Sequence, residues 1–348
     1  MSPVPEQANQ FPAEVAEQPA ALRNLLAYCR GAGRDVLLRW AAAAASAGRV
    51  TFAGMGTSEF APEMVLAGLA DYGVDARTMD AGELLHYPRP VHGLLCLISQ
   101  SGESVETKRL AARIESPSSL IALTNRPDSS LARAAALVLE MRAGEESAVT
   151  TKTYVNTLAA LHLMAQALRG PSAVARGLSR LEALAAALPQ VDEAGIARAA
   201  QLLSEAPAIH VIARGPAMAA ARQIALTFME SCRLTTVAFT GGAFRHGPFE
   251  MVGEGHHALF LLPGGATTKL LVAMAQEAAE KGSRVVVVAD HEVALPGESV
   301  LLRVPDFGEA LFCLAAAATQ ALLLNAIAER RGLVPGEFRY GEKVTSRE

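Results

Sequence analysis

The sequence predicts an α/β fold made of two doubly wound, parallel-sheet domains in tandem. Three observations carry this. Apolar runs without polar alternation are interleaved with helical stretches. Several of those runs end in glycine- or serine-rich turns that lead directly into a helix. The same order of run, turn and helix then recurs, with matching turns offset by about 160 residues, the signature of an internal duplication. Continuous Val, Ile and Leu runs mark strands buried on both faces, which implies a parallel sheet covered by helices.

Taken in order, residues 1–18 read as a polar, poorly ordered lead-in. Residues 19–47 have helical composition, broken near Gly31–Gly33. Arg49–Ala53 is a first strand that ends in GMGTS and is followed by one helical pattern, EFAPEMVLAGLADYG. Gly93–Ile98 is a second strand ending in SQSGES; Ser119–Leu123 and Ala135–Met141 are the third and fourth. A helix over Thr153–Leu168 closes the first domain, assigned to residues 19–175. A linker falls in 168–193 and carries a helix of its own. The second domain, residues 190–335, has strands at Ala208–Ala213, His257–Leu262, Arg284–Ala289 and Ser299–Val304. Residues 336–348 form a C-terminal tail.

Composition narrows the function class. The chain has 348 residues, 51% of them apolar and 5% aromatic, with a net charge of −4, a globular profile without a basic footprint for nucleic acid. Cys29, Cys96, Cys232 and Cys313 are scattered among apolar residues without metal or redox spacing, which predicts reduced core thiols in a cytoplasmic protein. The N-terminus lacks the pattern of a signal peptide. The most apolar stretch, Ala310–Ala328, contains Gln320 and Asn325 and reads as a buried helix; no membrane association is expected. His256 and His257 are adjacent and point apart on any strand, while His86, His92, His162, His210 and His291 are scattered among unrelated elements, so the histidines suggest no metal site, and no cofactor is expected.

The strongest chemical signal is SQSGESVET, residues 99–107, at the carboxyl end of a buried strand and the start of a helix. Ligands of open α/β sheets bind there. Ser99, Ser101, Ser104 and Thr107 supply hydroxyls and Gln100 an amide, while Gly102 lets the backbone approach closely. The unpaired first amides of the helix, with its dipole behind them, complete an anion site that needs no lysine. A serine-rich N-cap would need one hydroxyl, not this many. The turn Gly54–Ser58 converges on the same crevice, adding Gly56, Thr57 and Ser58. The corresponding second-half turns, RGPA and PGGATT, have lost these donors, so the second domain is expected to hold no phosphate of its own.

The second half offers Glu230, near the end of a helix, and His246, in the loop TGGAFRHGPFE. A carboxylate and an imidazole suit proton transfer between sugar carbons and oxygens. Spacing alone favours the plainer reading for each: a solvated glutamate at a helix end and a histidine bonded within its loop.

These motifs resemble the SIS (sugar isomerase) family over nearly the whole chain from Gly54. GMGTS, SQSGESVET, EESAVTTKT (145–153), RGP (214–216), the spacing from Glu230 to HGP and the terminal KVTSRE occur in family order. The resemblance implies two SIS domains, each a flavodoxin-like three-layer sandwich, and a phosphosugar isomerase or amino-sugar-phosphate deaminase acting between C1 and C2. It implies phosphate ligands at Ser58, Ser99, Gln100, Ser101 and Ser104 and substrate contacts by the EESAVTT segment, at Val149 and Thr150. It further implies proton transfer by Glu230, ring opening by a His246 contributed from the neighbouring subunit of a homodimer, and a sugar contact by Lys343. The expected partner is thus a phosphorylated sugar or amino sugar. Two departures are visible: Thr227 stands one helical turn before Glu230 where the family's synthases carry lysine, and Ala243 stands where relatives carry glutamate. With no glutaminase half and no cysteine near the start, glutamine-dependent amination is not expected. A fructosamine-phosphate deglycase and a non-catalytic sugar-phosphate sensor are the alternative readings.

Overall fold

A computed structural model of the chain describes residues 9–114, 119–147 and 149–340. Three helices precede the first sheet: α1 (Phe11–Ala16), α2 (Gln18–Arg30) and α3 (Gly33–Ala47). The described part of the expected lead-in is therefore ordered helix, and the sequence reading is corrected there. Phe11 and Val15, four apart, lie on one face of α1 and are buried, which anchors a segment whose polar composition had concealed that stripe. The predicted break between α2 and α3 is present: Gly33 packs on Tyr28, whose ring would lie 2.6 Å from an added Cβ.

The first sheet consists of β1 (Arg49–Gly54), β2 (Asp75–Asp80), β3 (Leu94–Ser99), β4 (Leu120–Thr124) and β5 (Leu137–Glu140). All pairs are parallel, in the order β2-β1-β3-β4-β5. Between β1 and β2 lie α4 (Thr57–Phe60), a 3₁₀ turn over Ala61–Met64 and α5 (Leu66–Ala70). The single helix expected there is broken into three pieces, with Pro62 in the first turn of the 3₁₀ segment. Helices α6 (Ala81–His86), α7 (Val105–Ala112) and α8 (Ser130–Ala134) complete the crossovers. Then come α9 (Lys152–Ala167), α10 (Pro171–Ala187) and α11 (Glu193–Leu203). The linker helix α10 is no spacer: it buries Ala173, Val174, Leu178, Leu181 and Leu184 and packs on α2 and α9.

The second sheet repeats the plan with β6 (Ile209–Ala213), β7 (Thr236–Thr240), β8 (His257–Leu262), β9 (Arg284–Ala289) and β10 (Ser299–Arg303). The order is β7-β6-β8-β9-β10, again all parallel, and is the same doubly wound topology as the first. Its helices are α12 (Met218–Cys232), α13 (Gly241–Arg245), α14 (Thr268–Glu280), α15 (Phe312–Ala315) and α16 (Ala317–Arg330).

The sequence reading missed β2 and β7. Both lie at sheet edges, where partial exposure admits Asp75, Arg77 and Asp80 into β2 and leaves Val237 exposed in β7. Neither therefore shows the unbroken apolar run of an interior strand.

One apolar cluster runs through both domains, joining Trp40, Phe52 and Leu158 to Phe228, Phe312 and Leu324. Helix α9 is buried nearly all round, with only Gln166 partly exposed, and the stretch Glu309–Arg330 is 83% buried across its most apolar window. That stretch is long and apolar enough to span a membrane by composition, yet here it is interior packing. All four cysteines are free and buried, and burial pushes each thiol up to about 12.

Candidate phosphate and proton-transfer site

The first sheet places the carboxyl ends of β1 and β3 beside each other, where the strand order reverses and a crevice opens. A cavity of about 260 Å³ lies there. It is lined by Gly56, Thr57 and Ser58 from the turn after β1, and by Ser99, Gln100, Ser101, Ser104 and Thr107 from the turn after β3. Val149 and Thr150 form one wall and Glu230 another. These predicted residues thus come together from four separate stretches of sequence, with Gly102 in the same loop as Ser99–Ser104.

Local backbone chemistry explains why the loop takes this form. Gly102 has φ +65°, and an added Cβ would lie 2.1 Å from Ser129 Oγ, so glycine is required on two counts. The Gly102 amide donates to Ser99 Oγ (3.1 Å) and the Glu103 amide to Ser101 Oγ (3.1 Å), which set the turn. Glu103 itself faces away, accepting from the Ser130 amide and hydroxyl (2.7 and 3.0 Å) and pairing with Lys108. At the N-cap of α7, Ser104 makes no side-chain capping bond, so its hydroxyl is not consumed by the role that a plain cap would assign it. Thr107 is fully buried and its Oγ1 has no hydrogen-bond partner. A buried hydroxyl without a partner beside a cavity marks a donor that the chain itself leaves unused.

The wall at Val149 and Thr150 is shaped by a buried carboxylate. Glu146 accepts from the Thr151 amide (2.9 Å) and hydroxyl (3.2 Å), and from the Thr153 amide (3.1 Å) and hydroxyl (2.7 Å), closing the N-terminus of α9. Helix α1 braces the same loop: Glu14 accepts from the Ser147 amide (2.6 Å) and hydroxyl (2.7 Å). Lys152, buried, pairs with Glu17.

Glu230 arrives from the other domain. Helix α12 lies across α4 and the 3₁₀ turn that follows it. Thr57 Oγ1 donates to Gln223 Oε1 (2.6 Å), and Arg222 pairs with Glu63 (3.2 Å), locking helix to turn. The Thr57 hydroxyl proton is thereby committed to the domain contact. Gly56, at φ +52°, stands 3.0 Å by its virtual Cβ from Leu226, so the turn and helix touch closely. One turn further on, Glu230 lines the cavity with a side chain that is exposed overall, and desolvation by the protein packed along one side of it pushes its carboxyl up to about 7. Thr227, at the position of the expected lysine, turns its hydroxyl back to the Gln223 carbonyl (2.9 Å) and brings no charge.

Met55, Ile98, Leu226 and Phe338 also line the cavity and were not singled out from sequence. Leu226 is four residues before Glu230, a spacing that places both on one helix face. Phe338 belongs to the C-terminal tail. His246 follows α13, is exposed, and does not reach this cavity within its own chain. Lys343 lies outside the described residues. The histidines read as unrelated need one correction: His210 Nδ1 and His256 Nε2 lie 2.9 Å apart because β6 and β8 are neighbours, and His256 Nδ1 meets Ser283 Oγ at 2.9 Å. Burial pushes His256 down to about 4, so this is a neutral pair.

The second domain's matching crevice differs in charge. The Glu309 carboxylate lies over both of its glycine turns, 2.5 Å from a virtual Cβ on Gly265 and 3.8 Å from one on Gly215. An acid thus occupies the place where the first domain presents hydroxyls. Among the described residues, no group of three His, Cys, Asp or Glu side chains is placed to hold a metal ion.

Comparison with known proteins agrees with this architecture. A glutamine–fructose-6-phosphate aminotransferase (isomerizing) of Streptococcus pneumoniae is 28% identical over 309 residues, covering 83% of this chain and 50% of that protein. The chain thus spans about half the length of the curated relatives it matches. Its fold superposes on the C-terminal domain of glucosamine-fructose-6-phosphate aminotransferase from Francisella tularensis with a TM-score of 0.82, at 20% identity and 94% and 98% coverage. It also superposes on tagatose-6-phosphate ketose/aldose isomerase from Escherichia coli, with a TM-score of 0.75, 20% identity and 96% coverage of each chain. The SIS domain model matches residues 45–167 and 202–294, more than half of the sequence and one segment in each sheet domain, and the protein belongs to the SIS domain family.

Proposed function

We propose that this chain is an aldose–ketose isomerase or amino-sugar-phosphate deaminase acting on a hexose or amino-hexose 6-phosphate. The observation that carries the reading is the pairing of two groups in one small cavity: an anion loop with the unpartnered Thr107 hydroxyl, and the Glu230 carboxyl raised to about 7. The phosphate is held by the Ser99–Ser104 turn and the amides of α7, which leaves the sugar to extend towards Glu230. Glu230 takes the proton from the carbon next to the carbonyl or imine. The enediol or enolamine so formed is reprotonated on the neighbouring carbon; in an amino sugar this gives an imine at C2, which water hydrolyses to the ketose phosphate and ammonia. His246, exposed and away from its own cavity, is assigned to ring opening in the partner's site of a homodimer. Lys343 is assigned to contact with the open-chain sugar. The names of the similar proteins, which act on fructose 6-phosphate or tagatose 6-phosphate, support this substrate class.

The test is exchange of the C1 or C2 proton with deuterated water, followed by NMR on fructose 6-phosphate, glucosamine 6-phosphate and tagatose 6-phosphate. Exchange on at least one, abolished in Glu230→Gln, is the expected result. Binding of these esters without exchange on any of them would replace the enzyme with a sugar-phosphate sensor.

A further inference from the structure

A cleft of about 760 Å³, sharing no lining residue with the cavity above, is formed by Ser204, Glu205, Arg233, Arg330, Arg331, Leu333 and Arg339. Three helices end there: α11 at Leu203, α12 at Cys232 and α16 at Arg330. Two of the arginines close those ends. Arg331 donates to the carbonyls of Cys232 (2.8 Å) and Ser204 (2.6 Å), and Arg330 donates to Ser204 Oγ (3.3 Å). The side chains of Arg233 and Arg339 make no hydrogen bond or ion pair among the described residues, and none of the four guanidinium groups is paired with an acid there. Helix ends carry about half a negative charge each, and Glu205 is the acid in the lining. Set against four guanidinium groups, these leave roughly one and a half positive charges uncompensated. Arg233 is moreover held at φ 52°, a left-handed C-cap position where glycine is the usual residue.

We propose that this cleft is a second anion site, taking a ligand by a phosphate or diphosphate group. Planar guanidinium forks match phosphate oxygens in pairs, and the two arginines bonded to Ser204, both lining the cleft, keep further N–H groups that these bonds do not use. The site adjoins the catalytic cavity at two points along the chain: Arg233 follows Glu230 by three residues, and Arg339 follows Phe338 of the cavity wall. An occupant therefore grips the end of α12 and the base of the C-terminal tail together.

The experiment is calorimetric titration of inorganic pyrophosphate into the full chain carrying Ser99→Ala and Ser101→Ala, which weakens the crevice site, at 50 and 200 mM NaCl. Saturable binding at one site per chain is expected, weaker at the higher salt. Adding Arg233→Ala and Arg339→Ala lowers the affinity at least tenfold. Arg339→Ala alone, on an exposed tail residue where misfolding is no concern, lowers it several-fold. An unchanged affinity in the arginine variants, or no saturable binding at low millimolar pyrophosphate in 50 mM salt, overturns the proposal. Neither outcome bears on the sugar reaction, because the readout is binding in a chain whose crevice loop has been disarmed.

Discussion

At the scale of single residues, the proposed site rests on two groups whose properties come from the protein packed around them. Thr107 is by sequence only the third residue of a helix, and becomes an unpartnered hydroxyl on a cavity wall only once the fold closes around it. Glu230 lacks a cation to hold its proton off, since Thr227 bonds back into its own helix. Its carboxyl is raised by desolvation, so it is protonated below about pH 7 and can accept a proton only above that. The deuterium exchange rate is therefore expected to rise through pH 7. The same shift opposes folding: the folded chain binds the proton more tightly than the unfolded one, so stability falls as pH rises from the ordinary carboxyl range through about 7. Glu230→Gln removes both dependences. Its melting temperature should exceed that of the parent at pH 8 and match it near pH 4; a variant no more stable at pH 8 would show that Glu230 is not desolvated.

At the scale of elements, the loop before α9 is the part most exposed to a single change. Glu146 receives four donors and is buried, so its replacement strands two backbone amides and two hydroxyls in the interior. Glu146→Ala is expected to cost about 2–4 kcal/mol, read from urea denaturation, and to weaken phosphosugar binding by loosening Val149 and Thr150. A loss under 1 kcal/mol would show that water replaces the carboxylate. The edge strands illustrate what composition conceals at this scale. DARTMD and TVAFT are strands because β1 and β6 each offer a free edge of backbone donors and acceptors, not because either segment has an apolar run. Helix α1 was hidden for a related reason: Phe11 and Val15 are two apolar residues in a polar segment, and Glu14 gains its purpose only from Ser147, distant in sequence.

At the scale of the whole molecule, the two copies of one fold have divided their tasks. The first keeps an open crevice with hydroxyl donors, while the second places Glu309 over its own glycine turns and sends α12 across to deliver Glu230. The shared core and the Thr57–Gln223 and Arg222–Glu63 contacts hold that helix against the phosphate turn. The role proposed for His246 requires a further level of assembly. Mixing separately inactive Glu230→Gln and His246→Ala chains under conditions that exchange subunits should restore about a quarter of the parent activity, since half the dimers are mixed and each has one complete site. Failure to recover activity, with subunit exchange shown by mass spectrometry, would place His246 outside the partner's site.

The sequence by itself determined the duplicated α/β plan, the interior strands, the break at Gly31–Gly33 and the serine-rich loop. Each of these is written in local periodicity or in residues such as Gly102, whose backbone admits few alternatives. Only the tertiary structure decided which hydroxyls are left unpartnered, that Glu230 is desolvated, that α1 supports the Val149–Thr150 wall, and that four arginines from two helix ends and a tail surround one cleft. Those properties depend on distances between residues far apart in the chain, and on how much water each group loses when they meet.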